Sequence, residues 1–162
     1  MMCALTLCVQ LLCRMTIAIR AGTAIIIASG IALGPEAGFL IGALSRFVLN
    51  FYEGQGPWTP WQMYAWGLVG YVGGVLGERG LLERPPVLYG WGLLSGLVYG
   101  LFLNGYHILG YVHPLTWQAA ALACVASLPL DVTHGVATVV FLAAIWLPWG
   151  RTIRRVVAKY GL

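Results

Sequence analysis

Between Phe51 and Trp66 the chain reads FYEGQGPWTPWQMYAW, and Glu53, Gln55, Trp58, Thr59, Trp61, Gln62 and Trp66 bring hydrogen-bonding groups and flat apolar faces into one short stretch. That mixture suits a small-molecule site, where aromatic walls supply contact area and a few polar groups fix orientation. Gly54 and Gly56 permit turns, whereas Pro57 and Pro60 fix φ and press Gly56 and Thr59 towards extended backbone, so the segment is a stiff loop. An aromatic belt at a membrane surface is the other reading of Trp61 and Trp66. The density of GQGPWTPWQ favours the site.

Ionisable residues inside long apolar runs form a second group. Each costs about 2.5–3.5 kcal/mol on membrane-insertion scales and so needs a reason to be there. Arg46 falls within the predicted third helix and Arg14 within the first, while Asp131 and His134 lie one turn apart on one helix face. Either arginine could pair with Asp131 or Glu53, or present guanidinium donors to a carboxylate, amide or phosphate of a ligand. The balance favours ligand for Arg46 and a structural, outward-snorkelling role for Arg14. Asp131 follows Pro129 closely and fits a helix N-cap. His107, His113 and His134 match no metal-ligand spacing, so no metal is expected.

The elements that must carry these residues are membrane helices. The 162 residues are 60% hydrophobic and 9% charged, with a mean hydropathy of +0.84. Such a composition belongs to an integral membrane protein. At roughly 20 residues per span, the chain holds about six short-looped helices as one domain over 1–162, with no room for a soluble catalytic domain. The expected helices are 2–19, 23–34, 36–52, 60–76 and 87–109, then a short helix over 118–128 and a last one over 131–149. Six of the nine basic residues are Arg79, Arg84, Arg151, Arg154, Arg155 and Lys159, clustered beside apolar runs. By the positive-inside rule these sites are cytoplasmic, which puts both termini inside and the 53–62 and 105–117 connections outside. The net charge of +4 then reports topology and implies no nucleic-acid partner. Gly38 and Gly42, Gly70 and Gly74, and Gly92, Gly96 and Gly100 recur at four-residue spacing, which predicts close helix packing.

Cys3, Cys8 and Cys13 recur every fifth residue and cannot share a helix face, so they read as packing residues. The apolar N-terminus lacks a preceding basic region, and a cleaved signal peptide is not expected. No GxxxxGK[ST] loop is present, so ATP-driven work would need partner subunits. Neither G-x-S-x-G nor H-E-x-x-H occurs.

Gly30 to Gly77, with GQGPWTPWQM as its most specific part, and SLPLDVTHGVATVVF from Ser127 resemble the substrate-binding S components of energy-coupling factor (ECF) vitamin transporters, most closely the cobalamin-type branch. The resemblance spans roughly 23 to 155. It implies a six-helix protein of the bacterial cell membrane that captures a vitamin, a corrinoid as first guess, from outside and is not itself an enzyme. It further implies a transmembrane coupling subunit and two cytoplasmic ATPases as partners, which alone use ATP, and no intrinsic cofactor. The candidate ligand contacts are Arg46, Asn50, Gln55, Trp58, Thr59, Gln62, Asp131 and His134, with Trp58 as a stacking surface. For docking to the coupling subunit such proteins carry Ala-x-x-x-Ala on the first helix, and Ala4-x-x-x-Cys8 is the nearest form here. The alternatives are a small membrane enzyme using Asp131 and His134 with Arg46 as electrostatic stabiliser, or a purely structural membrane subunit.

Overall fold

The structure, a computed structural model, describes residues 1–13 and 21–160. It is all-helical: α1 Met2–Cys13, α2 Gly22–Leu33, α3 Pro35–Glu53, α4 Thr59–Glu78, α5 Pro85–Tyr111 and α6 Trp117–Tyr160, with one 3-10 turn at Leu81–Glu83. The expected continuation of α1 to residue 19, the Arg14 side chain and residues 14–20 of the first connection lie outside the described residues.

The surface is that of a membrane protein turned towards lipid. Leu40, Leu44, Phe47, Phe51, Leu93, Leu101, Val132, Val136 and Val140 are exposed, while Ser29, Ser45, Arg46, Asn50, Ser95 and Thr138 are buried. In water this would be inverted; in a bilayer polar groups gain by facing one another. The 27 residues of α5 and the stretch Trp117–Trp146 are long and apolar enough to cross the membrane. The 12-residue α2, too short for a full span, is buried from Gly22 to Gly30 and forms the centre of the bundle. It is apolar on all sides, as a helix surrounded by others must be.

Gly30, Gly38 and Gly70 bring α2, α3 and α4 into backbone contact. A Cβ added at Gly38 would lie 2.5 Å from the Gly70 carbonyl oxygen and 2.8 Å from the Gly30 Cα. A Cβ at Gly42 would strike the Trp66 carbonyl, and one at Gly74 would strike Pro35. A second junction joins α5 to α6, where a Cβ at Gly96 would lie 2.5 Å from the Gly135 amide nitrogen. The four-residue glycine spacing thus does what it predicts, clearing a strip for a neighbouring helix.

Two expectations fail at α6. Pro129 does not break the helix, so the anticipated short helix and last helix are one 44-residue element that runs on through the basic segment from Arg151. Proline removes one ladder donor, that to the Val125 carbonyl, but in a stretch apolar enough to span the membrane no water competes for the remaining bonds. Asp131 is therefore interior to α6 and caps nothing. The hydroxyl of Thr116 takes that role instead, accepting from the Ala119 N–H at 3.3 Å.

The connections sort to two ends. Trp61 and Tyr106 rings meet at 6.1 Å, which places the α3–α4 loop and the α5–α6 connection at the same end. Exposed Arg79 and Arg84 mark the opposite, cytoplasmic end.

Candidate functional site

The polar interior is built where α3 ends and α4 begins. Arg46 and Asn50 stand one turn apart on α3, and Thr59 and Gln62 occupy the first turn of α4, so the tight loop between them presses two polar faces together. Gly54, at φ +106°, turns the chain out of α3 in a conformation that glycine adopts readily. Asn50 is fully buried and Arg46 only 2% exposed.

The hydrogen bonds fix one another. Thr59 Oγ1 donates to Gln55 Oε1 at 2.9 Å and accepts from the Gly56 N–H at 3.2 Å and from Asn50 Nδ2 at 2.9 Å. With its one proton used, the hydroxyl forces Asn50 to donate. Asn50 Nδ2 also reaches Gln62 Oε1 at 2.9 Å, and Arg46 Nε donates to that same oxygen at 3.0 Å. Glu53, its side chain 26% exposed, pairs with Arg46 Nη2 at 2.7 Å. The amide so oriented leaves Asn50 Oδ1 buried without a partner among the described residues, as are Arg46 Nη1 and the Tyr99 hydroxyl. Buried polar atoms without partners are costly, so three in one region point to something that completes them.

Aromatic rings continue the wall. The Arg46 guanidinium lies 5.3 Å over the Trp66 ring, Trp66 is 6.3 Å from Tyr99, and Tyr99 meets His134 edge-on at 5.8 Å. One turn before His134, Asp131 accepts from Ser127 Oγ at 2.8 Å, and Ser127 accepts from Asn104 Nδ2 at 2.6 Å.

Of the residues singled out in the sequence, Arg46, Asn50, Gln55, Thr59 and Gln62 form one network. Asp131 and His134 belong to a second cluster on α6, joined to the first through Trp66 and Tyr99. Arg46 takes Glu53 as its ion-pair partner, one of the two foreseen. Trp58 stands apart: its ring lies against Gly56, folding over its own loop. Trp66, half expected as a belt residue, is buried in the wall. Tyr99, Asn104 and Ser127 were missed. Neutral polar residues in apolar helices give a weaker signal than charges, yet Asn104 and Ser127 could have been found by the same reasoning that found Arg46. Ala4 and Cys8 are both exposed, on the side of α1 away from buried Thr6 and Gln10.

Comparison with known proteins found no match among curated proteins or solved structures. Residues 1–147 match the family described as ECF-type riboflavin transporter, S component. That is a family of transporter substrate-binding subunits, not of enzymes, and it corrects the cobalamin branch to the riboflavin type. The match covers nearly all of the chain, including both polar clusters: the chain belongs to the ECF-type riboflavin transporter S component family.

Proposed function

We propose that the protein captures a flavin, riboflavin as first choice, from outside the cell and holds its ring against Trp66 and Tyr99. The observation that carries this reading is the set of partnerless buried atoms on that wall: Asn50 Oδ1, Arg46 Nη1 and the Tyr99 hydroxyl. A flavin presents an imide N–H flanked by carbonyls on one edge of a flat ring. Asn50 Oδ1 suits the N–H, Arg46 Nη1 suits a carbonyl, and the rings supply apolar contact. A corrinoid has no such edge. Purification of the protein alone in detergent tests the reading. One equivalent of flavin, released on denaturation and identified by mass spectrometry, or quenching of added riboflavin fluorescence to one equivalent, is expected; an empty protein that quenches no flavin overturns it.

As a member of its family the protein works in the cell membrane with an ECF transmembrane subunit and ATPase subunits, binding a small vitamin. The exposed pair Ala4 and Cys8 is the proposed docking strip for the transmembrane subunit. Small side chains there let another helix approach closely, and bulk would hold it away. Ala4→Trp combined with Cys8→Trp is expected to remove most of the co-purifying coupling complex while leaving flavin affinity within about twofold. Retention of the full complex would move docking elsewhere.

A further inference from the structure

Asp131 is a carboxylate inside a membrane-spanning helix, 8% exposed, with His134 one turn on along the same helix. Such a group marks a place where something passes or binds. Its surroundings hold it as an acceptor. Asn104 Nδ2 donates to Ser127 Oγ at 2.6 Å, and Ser127 donates to Asp131 Oδ2 at 2.8 Å, so donation runs towards the carboxylate. The serine hydroxyl is also 3.1 Å from the Cys124 carbonyl, the longer of its two options. Beneath it Gly100 leaves the carboxylate a flat seat, since any Cβ there would overlap the Asp131 Cγ and both oxygens. The seat adjoins Tyr99, 5% exposed with an unpartnered hydroxyl, on the wall that leads to Arg46. At that far end the positive charge is already matched by Glu53. The wall therefore has an ion pair at one end and, at the other, a buried carboxylate held as an acceptor by Ser127.

We infer that Asp131, seated on Gly100 and positioned by Ser127 and Asn104, reads the side chain of the ligand, accepting hydrogen bonds from neutral hydroxyls and rejecting a phosphate. The inference rests on the flavin reading above. A polyhydroxyl chain offers donors that satisfy the carboxylate's free lone pairs. A phosphate ester brings about 1.5 to 2 negative charges into a low-dielectric space beside a carboxylate, a repulsion that selects against it.

The test titrates three flavins into the purified full chain, by fluorescence quenching: riboflavin, lumiflavin, which has a methyl in place of the hydroxylated chain, and riboflavin 5′-phosphate. The wild type is expected to bind lumiflavin about tenfold more weakly than riboflavin, and the phosphate ester about a hundredfold more weakly. Asp131→Asn keeps the shape but weakens the acceptor and removes the charge. It should lower riboflavin affinity by about tenfold, leave lumiflavin unchanged and narrow the phosphate gap. Gly100→Ala, which displaces the carboxylate but keeps its charge, should reproduce the loss for riboflavin with lumiflavin unchanged. Equal losses for riboflavin and lumiflavin would make Asp131 merely structural, and a wild type that binds the ester as tightly as riboflavin would overturn the exclusion. Either result leaves the flavin reading standing. A wild type that binds none of the three removes both.

Discussion

Gly70→Ala is expected to leave little folded protein in the membrane and to lower the thermal midpoint of what remains by on the order of 10 °C. The added methyl would strike the Gly38 carbonyl oxygen, with the Gly38 carbonyl carbon at 2.7 Å and Ile26 Cγ2 at 2.9 Å. Overpacking ordinarily costs about 1–3 kcal/mol, because a side chain moves aside. Here the obstruction is backbone from α3, and the Gly70 carbonyl is itself in the path of a Cβ at Gly30 or Gly38, so three helices would have to separate together. The cost should reach the upper end of that range or exceed it, against a total stability of about 5–15 kcal/mol. Gly90→Ala is the control, since a Cβ there meets nothing within 4 Å. Thermal scans by size-exclusion fluorescence in detergent check both; coincident midpoints for the two variants would show that the helices yield more easily than their contacts imply. The junction also bears on the proposed binding site, because it sets how α3 presents Arg46 and Asn50 to α4.

Much of this was legible because membrane sequences use few signals strongly. Glycine at four-residue spacing has one common use inside a bilayer, and the Gly38 and Gly70 strips met as their spacing implied. Arg46 announced itself by cost alone. Pro129 misleads for a related reason: the rule that proline ends a helix assumes water to take over the freed carbonyl, and Pro129 lies within the stretch Trp117–Trp146, apolar enough to cross a membrane. Asp131 was then assigned a cap it does not make, and its real neighbours, Gly100 and Ser127, stayed hidden. Contacts between α5 and α6 join residues far apart in sequence, from Asn104 with Ser127 to Gly92 with Leu142, and no local period encodes which polar residue will face which. The sequence points to the loop as the site itself, with Trp58 as its stacking face. In the structure the loop acts more as a clamp: Gln55 and Gly56 orient Thr59, Thr59 orients Asn50, and the orphaned atoms lie deeper, on α3 and α5. The GQGPWTPWQ loop resembles the S-component family at large and does not separate its branches, whereas the family match over residues 1–147 is to the riboflavin type.

The Arg46–Glu53 pair should separate stability from binding, because its two members are unequally buried. Glu53→Ala leaves a guanidinium that is 2% exposed with Nη1 already unpartnered and Nη2 newly so, held only by its Nε bond to Gln62 and its face on Trp66. Breaking a buried pair in this direction costs about 3–5 kcal/mol, reduced somewhat here because Glu53 is 26% exposed. Arg46→Met is milder for the fold: the unbranched side chain fills the stem's volume, and Glu53, at the end of its helix, can turn to water. For ligand binding the order reverses. Arg46→Met removes the proposed donor to a ring carbonyl, a charged hydrogen bond of about 1.5–3 kcal/mol, so riboflavin should bind roughly ten- to a hundredfold more weakly. Glu53→Ala keeps that donor and frees it from competition, so the molecules that remain folded should bind within a few-fold of wild type. Adding Arg46→Met to Glu53→Ala should then raise the thermal midpoint above that of Glu53→Ala alone, since the stranded charge is gone. Thermal scans and riboflavin titrations on the three variants check the scheme. An Arg46→Met protein with undiminished riboflavin affinity would take Arg46 out of the site, and a Glu53→Ala protein as stable as wild type would mean that water already reaches the guanidinium.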